Sequence, residues 1–142
     1  GSEEAFTAVD HGAVVSFARS ACAVGARQLL MVSSVGAHPA ARNFYLSVKG
    51  RAETDVQAIG FQRADFLRPG LLRGTRSGER RIGERLGIAI SPIIDKTLPA
   101  RFDKYRSIDG ATVAGAIVHL VGCEEPGIFV HHNRAMLAEC SA

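Results

Sequence analysis

The chain has 142 residues, enough for one domain with a sizeable core, and its 46% hydrophobic and 22% charged residues describe an ordinary globular protein. A net charge of +3 is only mildly basic, and with few aromatic residues and no tryptophan it argues against a nucleic-acid surface. No apolar stretch reaches the ~18 residues that span a bilayer and no signal peptide opens the chain, so no membrane partner is expected and the cytoplasm is the expected location. Cys22, Cys123 and Cys140 are far apart, odd in number and without a Cys-x-x-Cys pair, which predicts free thiols and no structural zinc.

Ser2 with Glu3 and Glu4 predicts a helix start, and the helix is expected to run to about Val24, where Gly25 stops it. Phe6, Val9, Ala13, Val14, Phe17 and Ala21 form its apolar stripe. Ala26 to Ser33 is a continuous apolar run closed by serines, as in a strand of a parallel sheet covered on both faces. A loop with Gly36 and Pro39 follows, then a helix capped by Asn43 that runs to about Ile59 and stops at Gly60. Phe61 to Arg68 is a second strand, ended by Pro69 and Gly70, so that strand, helix and strand make a parallel unit with a right-handed crossover.

Gly70 to Gly87 intersperses five arginines with glutamates, the composition of a solvated helix face with local ion pairs. The apolar run Leu86 to Ile94 predicts a helix packed at a sheet edge or against a partner, and Lys96 to Ser107 is irregular. Asp109 caps a helix from Gly110 to about Val121, Ile128 to His131 is a short last strand, and Asn133 opens a terminal helix. His131 and His132 are adjacent on a strand and point to opposite faces, so they do not make a metal site. The whole chain, 1–142, reads as one domain.

The chemistry gathers between Gln28 and Lys49. Tyr45 and Lys49 are four apart, one turn apart on a helix face. An ammonium near a phenol hydroxyl favours the phenolate, and a tyrosine so tuned can exchange a proton at a carbonyl or alcohol carbon. A serine hydroxyl at the strand end can hold the same oxygen.

Three motifs carry a likeness: Val32-Ser-Ser-Val-Gly-Ala37, Phe44-Tyr-Leu-Ser-Val-Lys-Gly50 and Arg68-Pro-Gly-Leu-Leu-Arg-Gly74. In this order and spacing they resemble the atypical short-chain dehydrogenase/reductases, the small NAD(P)-binding proteins of the epimerase-like and Tat-interacting-protein-like group. The resemblance implies an α/β, Rossmann-like, doubly wound parallel sheet. It also implies Ser34, Tyr45 and Lys49 as catalytic residues, with Tyr45 as acid or base and Lys49 also bonding the cofactor ribose. Ser34 fits the catalytic serine better than Ser33 because it is the last serine before the loop. Ser33, Tyr45, Lys49, Arg68, Pro69, Gly70 and Leu71 are the implied cofactor contacts, and Pro69 and Gly70 are residues a backbone passing close to a flat ring has reason to use.

The glycine-rich Gly-x-x-Gly-x-x-Gly turn that begins such proteins is not among the 142 residues, so the likeness covers the C-terminal two-thirds of a family member. Asp10 stands where extended members have asparagine; it is expected to be a solvated helix residue and no role is carried over. The function expected from the resemblance is hydride transfer between NAD or NADP and a small carbonyl or alcohol substrate, in a homodimer formed through the helices Ala5 to Val24 and Asn43 to Ile59. The alternatives are a non-catalytic cofactor-sensing or partner-binding protein, or a fragment that cannot hold a cofactor alone.

Overall fold

The computed structural model describes residues 2–73 and 104–139. Most of the arginine-rich segment, the apolar run Leu86 to Ile94 and Cys140 lie outside these residues. The elements in chain order are α1 (Glu3–Thr7), a π-helical stretch (Ala8–Ala13), α2 (Val14–Ala23), β1 (Gln28–Val32), α3 (Phe44–Gln57), β2 (Arg63–Leu67), β3 (Leu72–Arg73), β4 (Ile108–Asp109), α4 (Gly110–Leu120), β5 (Gly127–His131) and α5 (Asn133–Glu139). Strands β1, β2 and β5 form a parallel sheet in the order β1-β2-β5, and β3 and β4 make a separate parallel pair that the sequence reading did not anticipate.

The first helix starts as its sequence predicts: the Ser2 hydroxyl accepts from the Ala5 amide at 3.1 Å. Its inward face differs from the expected stripe. Val9 and Phe17 are 63% and 68% exposed, whereas Val15 and Ala18 are buried. The cause is the π-helical stretch, whose wider turn inserts an extra residue and moves the following positions one step around the axis. Counting at a constant 3.6 residues per turn from Phe6 leads to Phe17; with the wide turn it leads to Ala18.

The central strand β2 is covered on both faces. On one, Val15 and Ala18 of α2 and Ala52 and Val56 of α3 pack on Met31, Ala64 and Phe66. On the other, Val113, Ala116 and Leu120 of α4 and Met136 of α5 pack with Ile108 on Leu67 and Leu30. This is an α/β, Rossmann-like arrangement of a parallel sheet between helical layers. All five residues of β2 are buried, the reason its sequence lacks the alternation of a half-exposed strand. Phe66, Leu67, Val48, Val56 and Met136 are among the side chains fully withdrawn from water, each worth about 1.5–3 kcal/mol of transfer free energy.

Two of the five β2 residues are charged. The Arg63 guanidinium donates two bonds to the Asp65 carboxylate, both at 2.8 Å, and stacks 4.1 Å from the centroid of the Phe129 ring. Asp65 also accepts from Gln28 at 3.0 Å and meets His131 Nε2 at 3.0 Å. Burial alone would raise the Asp65 pKa, but the hydrogen bonds from Arg63, Gln28 and His131 outweigh it and hold the carboxyl below its ordinary value of 3.8.

A folded-state pKa below the unfolded one means that this stabilisation is complete above pH ~4 and is lost as pH falls through the folded value. Stability measured by urea denaturation should therefore fall steeply below pH 4. Asp65→Asn should cost about 3–5 kcal/mol at pH 7, because Arg63 keeps a buried charge without its partner, and should flatten the acid limb. An acid limb as steep in Asp65→Asn as in the wild type would show that another group controls it.

Candidate functional site at the carboxyl edge of the sheet

The three parallel strands end in register, Val32 beside Leu67 beside His131. Just beyond, the Ser33 amide donates to the Leu67 carbonyl at 2.7 Å and the Arg68 amide to the His131 carbonyl at 2.8 Å. The chain after β1 stays near the end of β2, where the Val35 amide bonds the Pro69 carbonyl at 2.9 Å. It turns at Gly36, whose φ of +82° suits glycine, and folds along the first turns of α3. There the His38 amide donates to the Leu46 carbonyl at 3.2 Å and the Ser47 hydroxyl to the Pro39 carbonyl at 3.0 Å. Gly50 permits this approach, since a Cβ there would overlap the His38 backbone. Asn43 caps α3 by accepting from the Leu46 amide at 3.1 Å. The serines after β1 and the N-terminal turns of α3, with Tyr45 and Lys49, thus stand at the same edge.

The individual side chains differ in how far they are engaged. Ser33 is 5% exposed, and among the described residues its buried Oγ has no hydrogen-bond partner. The Ser34 hydroxyl makes a long 3.4 Å bond to the Val35 carbonyl. The Tyr45 ring packs against Phe6, with centroids 5.6 Å apart. Lys49 Nζ lies 5.9 Å from the Tyr45 ring centroid and donates to Asp10 Oδ1 at 2.6 Å. Asp10 is thus an ion-pair partner, its side chain only 26% exposed, and not the solvated residue its sequence suggests.

Arg68, Pro69, Gly70 and Leu71 are engaged by the fold itself. The Arg68 guanidinium makes paired bonds to both carboxylate oxygens of Glu53, a residue 2% exposed on α3. The Gly70 amide donates to Asn133 Oδ1 at 2.9 Å, and a Cβ on Gly70 would overlap the Arg106 carbonyl. Packing against the chain's own backbone is therefore the observed reason for glycine at 70. The Leu71 carbonyl accepts from the Ile108 amide at 2.9 Å, and Asn133 Nδ2 donates to the Arg106 carbonyl at 2.6 Å. Asn133 consequently joins the segments after β2, before β4 and after β5, a role that its place at a helix start did not suggest. Asp109 occupies the cap position of α4 without the predicted side-chain bond.

One step past β5, His132 keeps a buried Nδ1 that has no hydrogen-bond partner among the described residues. Burial, then the positive charges of Arg68 and Lys104, lower its pKa below 6.5 and favour the neutral ring. At the opposite, amino-terminal edge, Arg27, Gln28, Gln62, Arg63, Gly122 and Cys123 help to line an open cavity of about 200 Å³. Among the described residues no helix is long and apolar enough to cross a membrane, and no group of three or more histidine, cysteine or acidic residues is placed to hold a metal ion.

No protein-family model matches the chain. It is similar to the protein FMP52, mitochondrial, of Debaryomyces hansenii, 34% identical over 120 residues, which is 84% of this chain and 52% of the relative. It is 34% identical over 119 residues, again 84% and 52% of the two chains, to the protein FMP52-1, mitochondrial, of Scheffersomyces stipitis. It is 39% identical over 75 residues, 53% of this chain and 32% of the relative, to the protein FMP52, mitochondrial, of Saccharomyces cerevisiae. The chain spans about half the length of the first two of these relatives.

These names correct three expectations. They point to FMP52 proteins in place of the short-chain dehydrogenase/reductase assignment, and the hydride-transfer function that rested on that assignment falls with it. The cytoplasm is likewise set aside, because the relatives are named as mitochondrial.

Proposed function

We propose that this chain is part of a mitochondrial protein that binds a nucleotide cofactor, NAD or NADP, at the carboxyl edge of its parallel sheet, with no chemical step assigned to it. The observation that carries this reading is the buried, unpartnered Ser33 hydroxyl at the end of β1. A buried polar atom without a partner is uncommon and costs about 1–3 kcal/mol unless a ligand or water completes it. Its position agrees with the general placement of ligands in open α/β sheets, beyond the carboxyl ends of the strands; that support is fold-level analogy. Ser33, Ser34, Tyr45 and Lys49 suit such a ligand, supplying hydroxyls and one ammonium for ribose and amide groups. The mitochondrial location is drawn from the names of the relatives.

Titration of NADH and NADPH fluorescence with the chain tests this directly. Saturable binding is expected, and Lys49→Met should weaken it by about tenfold, roughly 1.4 kcal/mol. No saturable change with either nucleotide would remove the reading.

A homodimer is also proposed, on the separate observation that Val9, Phe17 and Val24 of the first helix are 63%, 68% and 87% exposed. Apolar side chains of this size on one helix are a reason to expect a partner surface. Sedimentation equilibrium should return twice the chain mass, and Phe17→Asp should return the monomer mass with unchanged circular dichroism. A wild-type monomer at high micromolar concentration would contradict it.

A further inference from the structure

We propose that the cavity at the amino-terminal edge of the sheet receives a small zwitterion, a free α-amino acid, with its carboxylate on Arg27 and its ammonium on Glu124. The cavity lies opposite the edge that carries Ser33 and Tyr45, and its ligand is independent of any nucleotide bound there.

Three segments meet around it: Arg27 before β1, Gln62 before β2, and the turn Gly122 to Glu124 between α4 and β5. The backbone holds the first two, since the Arg63 amide donates to the Arg27 carbonyl and the Gly127 amide to the Gln62 carbonyl, both at 3.0 Å. Gln28 fastens the turn: its Oε1 accepts from the Gly122 amide at 3.0 Å and its Nε2 donates to the Leu120 carbonyl at 2.8 Å. Arg63 in the wall is likewise spent, with Nε and Nη2 on Asp65 and Nη1 on the Glu125 carbonyl. Gln28 and Arg63 thus build the frame and have little left for a ligand.

Arg27 and Glu124 differ. Arg27 Nε donates to Gln62 Oε1 at 2.6 Å, which steadies the guanidinium and leaves its two terminal nitrogens unbonded among the described residues. The Glu124 carboxylate has no hydrogen bond or ion pair among the described residues. Two opposite charges therefore line one cavity without pairing with each other.

The cavity volume is about 200 Å³. Pockets for drug-sized ligands run to ~300–1,000 Å³, so this one suits a molecule of a few heavy atoms and not a dinucleotide. A carboxylate accepts paired bonds from the terminal nitrogens of a guanidinium. An ammonium donates three bonds and accepts none, so it requires an acceptor such as Glu124. An α-amino acid carries both groups on one carbon and satisfies both charges at once. A simple carboxylate would pair with Arg27 but face Glu124, and a simple amine the reverse; a like charge turns each away. Both residues are exposed, so solvent screens each contact and the expected binding is weak.

Amide chemical-shift titrations of the isotope-labelled chain with L-alanine, propionate and ethylamine, at constant ionic strength, test this. L-Alanine should give saturable shifts at residues 27, 62 and 122–124, with propionate and ethylamine each about tenfold weaker. Arg27→Met and Glu124→Gln should each weaken L-alanine about tenfold, with unchanged circular dichroism. Glu124→Gln should also bring L-alanine and propionate to equal affinity, a change that loss of folding would not produce. No saturable shift with L-alanine, shifts that persist in Arg27→Met, or propionate binding wild type as tightly as L-alanine would overturn the proposal.

Discussion

A strand buried along its whole length must satisfy every polar atom it carries from inside the protein, and β2 carries an arginine and an aspartate among its five residues. The Arg63–Asp65 pair is tolerable in that position because Gln28 of β1 and His131 of β5 complete the carboxylate, and the Glu125 carbonyl accepts from Arg63 at 3.0 Å. The central strand is therefore linked to both neighbours by side chains as well as by the backbone ladder. Helices cover both faces because neither face of β2 can be left to water.

The same crowding organises the carboxyl edge. Arg68 continues β2 toward solvent and is held by Glu53 from the helix above. Asn133 collects the backbone of Gly70 and Arg106 from below. These contacts tie the segments after β2 and β5 together, and among the described residues both Ser33 Oγ after β1 and His132 Nδ1 after β5 are buried without a hydrogen-bond partner.

Much of the local structure was legible because its signals are short-range. Ser2 and Asn43 cap their helices as their residue types require, and Gly25 and Gly60 follow the ends of α2 and α3 with positive φ. The β1–α3–β2 unit follows from apolar runs of strand length around a helix-length segment. The inward face of the first helix was not legible, since the π-helical turn lies where Asp10 and His11 bond α3, about forty residues away. Glu53 with Arg68 and Asp65 with His131 escaped for the same reason: side chains joined across sequence separations leave no periodic trace. At the site, the motifs placed Ser33, Ser34, Tyr45 and Lys49 at one edge. They gave no means of telling that Arg68 and Gly70 are engaged by neighbouring protein groups, or that Lys49 has a carboxylate beside it.

Amide chemical-shift mapping of the isotope-labelled chain titrated with NADH locates the bound nucleotide residue by residue. Perturbations are expected to concentrate in residues 33–37 and 43–49, with little change at Arg27, Gly122 and Cys123 on the opposite edge. Perturbations confined to that opposite edge, or none at saturating nucleotide, would contradict a nucleotide at the carboxyl edge.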